Sequence, residues 1–410
     1  MQWANVARGL AKRFSERARR YDETGEFPAE NFAEMREAGL LRLGVPTEHG
    51  GEDVGHDPAG FVPNLVVEEL ASGCSSTAWN LMIHYVNCSV VAHTGGRAVK
   101  ERVFRDVTKR GAVLGSLGSE VNTTEQTADA AVQPKLTFQC ELTPVEGGFR
   151  ANGTKHFCTN APSADYVLLW SLAPGTSDNA EGLMTAVLPR QSEGLSFDRK
   201  GWDECIGLRA TVSWSAHLKD VFVPWEAVLG EPGDFVQNNP YTFDLPHIAH
   251  LLGTTQGAFD AIVKMFKDRA YLTKDQVYMY SLAEISGGLQ AARASYWYAQ
   301  SLWHEGRFDD CLLATYNALH AAREIGLSCL AKGFDICGTR ALFKFLPLER
   351  ASRDIRTAVL HTRDSQLMRM QAQAVLDGGK MFSKQKYGNK LQQRRSWAEL
   401  GIVPSRKVAS

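Results

Sequence analysis

The sequence has neither a long hydrophobic run nor an excess of charge. No apolar run approaches the roughly 18 residues typical of a membrane-spanning helix, so we expect no membrane span. Lys and Arg number 45 and Asp and Glu 46, which gives a formal net charge of -1. A chain this near neutrality lacks the basic field that attracts nucleic acid. Its partners are therefore expected to be neutral or small. The length of 410 residues and the 44% hydrophobic content predict an ordinary globular protein.

Several common site motifs are also missing. The eight cysteines form no Cys-x-x-Cys pair and no regular framework, which predicts reduced thiols in an intracellular protein. Neither a Gly-x-Gly-x-x-Gly motif nor a P-loop occurs, so we expect no nicotinamide or nucleoside triphosphate site of the usual kind. His247 and His250 lie three residues apart, but no third ligand has metal spacing, and we predict no metal site.

The N-terminus is basic and has two interpretations. It is rich in basic residues, like a transit peptide, but it continues without a cleavage-like break. Leu10, Phe14 and Ala18 recur at helical spacing, so we predict a first helix over residues 2–22 and a cytoplasmic protein.

Periodicity divides the chain into four parts. Residues 1–110 are helical in pattern, 111–229 form short alternating runs between turns, and 230–378 are helical again, with one long helix predicted over 347–376. We predict a β domain between two helical domains. Residues 379–410 form a basic tail, which is interpreted as solvated or as an arm on a neighbouring subunit.

One hairpin indicates chemistry. Gly147-Gly148 and Asn152-Gly153 are turn dipeptides, and the run 166–170 that follows is typical of a buried strand. Residues 157–160 would then lie at the end of a rigid hairpin. A hydroxyl and backbone amides there can bond the edge of a flavin while an aromatic ring covers its face. An ordinary exposed hairpin is the alternative.

This hairpin, the segments 207–211 and 218–224, the Arg353-Asp354 pair and the α-β-α order resemble the acyl-CoA dehydrogenase superfamily. The resemblance implies an α+β fold with an N-terminal helical domain, a central β-barrel-like domain and a C-terminal four-helix bundle. It also implies a homotetramer in which a second subunit contacts the flavin. The implied cofactor contacts are Ser119, Phe157, Thr159 and Asn160 at the ring, and Arg269, Gly338 and Arg340 at the phosphate end.

Two branches of the family remain open. A dehydrogenase needs a carboxylate beside the substrate, and Thr362 and Pro246 occupy the two positions where the family places it. Asp244 and Asp364 are each two residues away, a rotation of about 200° on a helix. The resemblance therefore favours the monooxygenases that take reduced flavin from a separate reductase.

In that branch His361 follows the Arg-Asp pair and would be the acid/base group acting with a C4a-hydroperoxyflavin near neutral pH. His84 is either a second catalytic histidine in the pocket or a core residue. Because the family's Arg-x-x-Phe-Gly segment has lost Phe-Gly here, reduced FMN is favoured, with FAD as the alternative.

The expected function is hydroxylation of a small aromatic, sulfur or amine substrate with O2. An acyl-CoA dehydrogenase with a displaced base and a non-catalytic flavin-fold binding protein are the alternatives.

Overall fold

The computed structural model describes residues 2–54, 60–120, 124–125, 135–136, 138–177, 179–235, 243–362, 364–376, 378 and 395–402. Its elements are helical at both ends of the chain and stranded in the middle, which confirms the predicted α+β fold class. Each of the three predicted ranges contains mainly one kind of element, while the domain boundaries themselves stay a prediction.

The N-terminal helices are α1 Gln2–Thr24, α2 Ala29–Glu37, α3 Phe61–Gly73, α4 Ser75–Thr94 and α5 Arg97–Arg110. In α1 the apolar residues Leu10, Phe14 and Ala18 are buried, as their spacing predicts, and this face packs on α3. Helix α4 is buried on nearly every side, so it forms the centre around which the other parts pack.

The central strands form two four-stranded sheets and a small ribbon. One sheet has the order β1-β6-β7-β10, the other has the order β4-β5-β9-β8, and β2 pairs with β3. Their bounds are β1 Leu114–Leu117, β2 Thr124–Glu125, β3 Lys135–Leu136, β4 Glu141–Val145, β5 Gly148–Cys158, β6 Tyr166–Leu172, β7 Leu183–Pro189, β8 Leu195–Asp198, β9 Trp214–Pro224 and β10 Val228–Leu229.

The side chains of β6 face two different layers in alternation. Val167 and Leu169 face the second sheet and share its core with Ala151, whereas Tyr166 and Leu168 face α4 and α5. Successive side chains of a strand point to opposite faces, so β6 is apolar on both sides. A four-residue helix, α6 Asn179–Gly182, precedes β7.

The C-terminal helices are α7 Asp244–Asp268, α8 Gln276–His304, α9 Phe308–Cys337, α10 Pro347–Leu360 and α11 Asp364–Leu376. One apolar core runs from α1, α3 and α4 into α7 to α10, so the two helical parts are packed together. No helix in the described ranges has the length and apolar character to cross a bilayer.

The prediction of one helix over 347–376 is wrong. Helix α10 ends at Leu360, and α11 begins only at Asp364. Neither glycine nor proline marks this break, so the sequence pattern does not reveal it. The break places His361 just beyond the end of a helix.

The interpretation of the tail as solvated is wrong for residues 395–402. Trp397 is buried in the core of the central sheets, with its ring against Trp225 and Phe149 at centroid distances of 5.3 and 5.4 Å. Its Nε1 donates to the carbonyl of Gly230 at 3.0 Å. The remaining basic residues of the tail lie outside the described residues.

Candidate functional site

The end of β5 has an unusual backbone. Phe157 has φ 55° and Asn160 has φ 64°, both in the left-handed region that bulky residues seldom occupy. The Phe157 ring is nevertheless 68% exposed, so no burial of that ring compensates for the strain. Such strain is typical of functional sites. Ser119 is also exposed and lies alongside, because the His156 amide donates to the Ser119 carbonyl at 2.8 Å.

A chain of hydroxyl groups continues inward from this patch. Thr159 Oγ1 lies 2.8 Å from Ser213 Oγ, which lies 2.7 Å from Thr211 Oγ1, and each hydroxyl can donate or accept. Ser213 and Thr211 were not predicted, because nothing local in the sequence shows that their turn meets β5. The amides of Thr159 and Asn160 donate to the carbonyls of Phe157 and Thr211. These two amides are therefore used within the protein, while the contact of the 157–160 segment with a flavin stays a prediction.

Asn160 is a brace rather than an accessible contact. Its side chain is fully buried, and its Nδ2 donates to the Asn80 carbonyl at 2.8 Å and the Leu114 carbonyl at 3.4 Å. Asn80 in turn donates to the Ala210 carbonyl at 3.0 Å. These bonds join α4, β1, β5 and the 209–211 turn. The prediction of Asn160 as a cofactor ligand is corrected, because its donor is already used inside the protein.

A buried ion pair supports the same patch. Glu120 directly follows Ser119, and Lys155 lies two residues before Phe157. The Lys155 Nζ donates to a Glu120 carboxylate oxygen. Glu120 also accepts from the Cys140 amide at 3.2 Å, and Lys155 lies over the Phe138 ring. Burial lowers the pKa of Lys155. The pair fixes the strand segments that carry Ser119 and Phe157.

On the other side of α4, Trp79 is the centre of a ring cluster. The centroid of its ring lies 4.9 to 5.9 Å from those of four rings, mostly at steep angles: Phe243, His247, His250 and His361. Trp79 is the neighbour of Asn80, which accepts from Asn160 behind the patch on β5, so α4 connects the ring cluster to that patch. The sequence did not predict that these three histidines meet.

His361 is the accessible member of the cluster. It is exposed, yet desolvation by the surrounding protein lowers its pKa to about 4, against a weak opposing effect of Asp244. His361 therefore lies at the edge of the ring cluster, with part of its surface exposed and the rest packed against protein. The Phe243 ring covers one face at 4.6 Å. A neutral imidazole that can exchange protons is therefore present at physiological pH.

The other two histidines of the cluster are fully buried and have fixed tautomers. His247 Nε2 lies 3.1 Å from the Ala358 carbonyl, and His250 Nε2 lies 3.1 Å from the Ser75 carbonyl and 2.9 Å from Ser75 Oγ. A ring nitrogen facing a carbonyl must carry the proton. The pKa of His250 is lowered to about 4 by burial, and that of His247 is lowered by burial and by the neighbouring His361, His250 and Arg323.

His84 is a core residue, so the possibility of a second catalytic histidine in the pocket is rejected. Its Nδ1 accepts the Leu114 amide at 3.2 Å, and its Nε2 donates to the Leu41 carbonyl at 2.9 Å. Both ring nitrogens are occupied by backbone groups, the side chain is fully buried, and burial lowers its pKa to about 4. It therefore has no nitrogen available for a substrate.

Two buried acidic residues lie on α7 and α10. Asp244 is buried at the start of α7, and its charge partly offsets the lowering of the His361 pKa by burial. The rotation predicted for its side chain stays a prediction. Asp354 is buried and accepts the Leu208 amide at 2.7 Å, which joins α10 to the 207–211 segment. Burial raises its pKa to about 6. The side chain of Asp364 lies outside the described part of the chain.

The three predicted phosphate residues lie on the outside of the C-terminal helices. Arg269 is half-buried and contacts the Tyr271 hydroxyl at 3.4 Å, while Gly338 and Arg340 are exposed. Gly338 has φ 62° with open space around it. Burial raises the pKa of the Cys337 thiol, and the nearby charge of Arg269 partly offsets this, which places Arg269 beside the 338–342 turn. These residues form a separate group on the outside of the C-terminal helices. Their role as a phosphate site stays a prediction.

Family models match both helical parts of the chain. The acyl-CoA dehydrogenase N-terminal domain matches residues 1–110, and its C-terminal domain matches residues 245–366. Together they span more than half of the sequence. The chain belongs to the acyl-CoA dehydrogenase superfamily. The family predicted from the hairpin and the Arg-Asp pair is thereby confirmed.

Relatives within the superfamily come from both branches. A dibenzothiophene monooxygenase of Rhodococcus erythropolis is 28% identical, covering 87% of this chain and 88% of the relative. A short-chain specific acyl-CoA dehydrogenase of Clostridium acetobutylicum is 25% identical over 92% and 97% of the two chains. The FMN-bound structure of TdsC from Paenibacillus sp. A11-2 has a TM-score of 0.80 at 22% identity, covering 92% and 98%. At that identity the structure shows the fold alone.

Proposed function

We propose that this superfamily member is a monooxygenase that uses reduced FMN and O2 to oxidise a small, uncharged, largely apolar molecule. The observation that carries the proposal is His361. It is a neutral imidazole at a helix end, and aromatic rings pack against it. We infer that its exposed edge faces a recess that takes the substrate. The similarity to a dibenzothiophene monooxygenase over most of both chains supports the same branch.

The patch on β5 fits the ring of a flavin. Phe157 offers an exposed aromatic face, and Ser119 lies beside it with an exposed hydroxyl. Thr159 and Ser213 supply hydroxyls that can reverse their direction of donation, which suits a ring whose protonation changes. Buried braces behind the patch hold it in place. Reduced FMN bound there would supply two electrons to O2, so that one oxygen enters the substrate and the other leaves as water.

Within the recess, the residues of the chain have distinct tasks. His361 would hold or release a proton at its exposed ring nitrogen during oxygen transfer. Trp79 and Phe243 form apolar walls that exclude water and favour an aromatic or thioether substrate over an anion. The similar TdsC structure has been determined with indole, which is a molecule of this kind.

Electrons must come from elsewhere, because the sequence carries no nicotinamide motif of the usual kind. We infer a separate flavin reductase as partner. Arg269 and Arg340 are the proposed phosphate contacts, with Gly338 allowing a close approach. The eight cysteines are free thiols, seven of them buried, which supports a reducing, cytoplasmic location.

A homotetramer is proposed from the outer apolar side chains of the C-terminal helices. They are exposed on α8 and on the turns that follow α7 and α9: Tyr271, Val277, Tyr280, Trp297, Tyr298, Leu342, Phe343 and Phe345. So many large exposed apolar groups are typical of an interface between subunits.

The proposal is tested by mixing the protein with chemically reduced FMN or FAD, then with O2 and either indole or dibenzothiophene. Oxidised product and hydrogen peroxide are both measured. With FMN, we expect product in the wild type and mainly peroxide in His361→Asn. His304→Asn, an exposed histidine on α8, is the matched control. Equal product from His361→Asn and wild type would remove the role of His361.

A second candidate is favoured by one observation. Asp244 is buried near His361, so a carboxylate is present where a dehydrogenase with a displaced base would need one. Butyryl-CoA with an artificial electron acceptor tests it. Desaturation that disappears in Asp244→Asn would establish the dehydrogenase, whereas no reaction with wild type would exclude this substrate.

A further inference from the structure

The end of α10 is held by two buried side chains from other helices. Arg323 of α9 donates through Nη1 to the Val359 carbonyl, and to the carbonyl and hydroxyl of Thr362 at 3.1 and 3.3 Å. His247 of α7 donates to the Ala358 carbonyl at 3.1 Å. These acceptors lie on both sides of His361.

This arrangement explains the break in a helix that its own sequence would continue. The last carbonyls of a helix lack partners within it, and a cation there also complements the helix dipole. Arg323 is only 8% exposed, so its bonds form in a low-dielectric environment where charge-assisted hydrogen bonds are strong. A continuous helix would use the Val359 carbonyl for its own hydrogen bond.

The imidazole of His361 has no comparable anchor. Its described contacts are ring packing against Phe243, Trp79 and His247, at centroid distances of 4.6, 5.2 and 5.9 Å. Ring packing alone allows sliding and rotation, whereas the backbone on either side is fixed by hydrogen bonds. The direction of the imidazole is therefore set mainly through the backbone.

We propose that Arg323 and His247 are positioning residues for His361, which end α10 at Leu360 and aim the imidazole into the recess. The consequence for catalysis rests on the proposed function. The positioning itself does not, because it concerns the protein without flavin. The charged and titratable groups around His361 are Asp244, His247 and His250 of α7 and Arg323 of α9.

The first test uses flavin-free protein and diethyl pyrocarbonate, which modifies accessible, unprotonated histidines. Modification of His361 is followed by peptide mass spectrometry between pH 5.5 and 7.5. In wild type we expect a nearly constant rate, because the ring is neutral throughout. In Arg323→Met a loosened, hydrated ring returns toward its ordinary pKa, so the rate falls about ten-fold at the lower pH.

Arg323→Lys keeps a cation with several donors and should recover most of the wild-type profile. His247→Met should change the profile in the same direction as Arg323→Met. Its matched control is His250→Met, since His250 is equally buried near Trp79 but bonds Ser75 rather than α10. Lys332→Met removes a half-buried cation, paired with Glu284, from the same helix as Arg323 and should not change the modification profile of His361.

The second test is turnover with reduced FMN and indole. We expect kcat to fall about 100-fold in Arg323→Met with little change in KM, because a misdirected catalytic group costs about this much. A constant modification rate in Arg323→Met, or the same change in His250→Met, overturns the proposal. If Arg323→Met does not fold, a wild-type profile in His247→Met overturns it. Absence of product in wild type contradicts only the proposed function.

Discussion

The protein should lose stability steeply between pH 7 and pH 5, because buried histidines are neutral in the folded state. His84 and His250 are fully buried, and burial lowers the pKa of each to about 4. In the unfolded chain their pKa is about 6.5. As pH falls to 5, both histidines become protonated in the unfolded chain but stay neutral in the native state. Each histidine then removes about 2 kcal/mol from the free energy of unfolding, or about 4 together.

An opposing effect comes from Asp354. Burial raises its folded pKa to about 6, above the value of the unfolded chain, so near pH 5 the native state holds a proton that the unfolded chain releases. This contributes about 1 kcal/mol of stability on acidification. The loss from His84 and His250 exceeds the gain from Asp354, so we expect the free energy of unfolding to fall by about 3 kcal/mol. His247 adds a further loss, because its pKa is also lowered.

Urea unfolding at pH 7, 6 and 5, at one protein concentration, measures this loss. In His84→Gln and His250→Gln, the difference between pH 7 and pH 5 should shrink by about 2 kcal/mol each. Comparing two pH values within one variant cancels the packing cost of the substitution. His304→Gln is the exposed control. Equal stability of wild type at pH 7 and 5, or an unchanged difference in His84→Gln, would refute the reasoning.

Three further predictions concern the patch and the tail. Lys155→Met leaves the Glu120 carboxylate buried without its cation and should cost about 3–5 kcal/mol in urea unfolding, whereas a cost below 1 kcal/mol would contradict the pairing. Phe157→Gly relieves the strain of a left-handed backbone and should raise the free energy of unfolding by about 1 kcal/mol. The same substitution should weaken the binding of reduced FMN, and unchanged affinity would exclude this ring from the cofactor site. Trp397→Ala removes a buried ring at a cost of about 3 kcal/mol and should expose residues 395–402 to hydrogen exchange, whereas continued protection would show that other contacts hold the segment.

The strands were predictable because their pattern is local. The predicted run 166–170 lies within β6, and Gly147-Gly148 lies at the turn that leads into β5. The prediction of a turn at Asn152-Gly153 is wrong, because this dipeptide lies inside β5 at a register shift against β9. Alternation and the Gly-Gly turn are local features of the sequence.

The helix break at His361 was not predictable from the pattern. It depends on Arg323, which is far away in sequence and shows its effect only through bonds to Val359 and Thr362. Tertiary hydrogen bonds here outweigh the local preference for a continuous helix.

The family resemblance carried the predictions for the site. The catalytic role of His361 and the cofactor role of Phe157 came from residues that match the family's motifs, and both stay predictions. The roles given to His84 and Asn160 failed because both side chains use their donors on backbone carbonyls of other elements. Whether a polar side chain is free for a ligand depends on long-range partners, which one sequence does not display.

The most direct test of the central claim is the source of the oxygen atom in the product. Protein, chemically reduced FMN and indole or dibenzothiophene are mixed under isotopically heavy O2, and the product is analysed by mass spectrometry. The account predicts one heavy oxygen per product molecule and little product from His361→Asn. Absence of heavy oxygen from any product, together with desaturation of butyryl-CoA by the same protein, would contradict it.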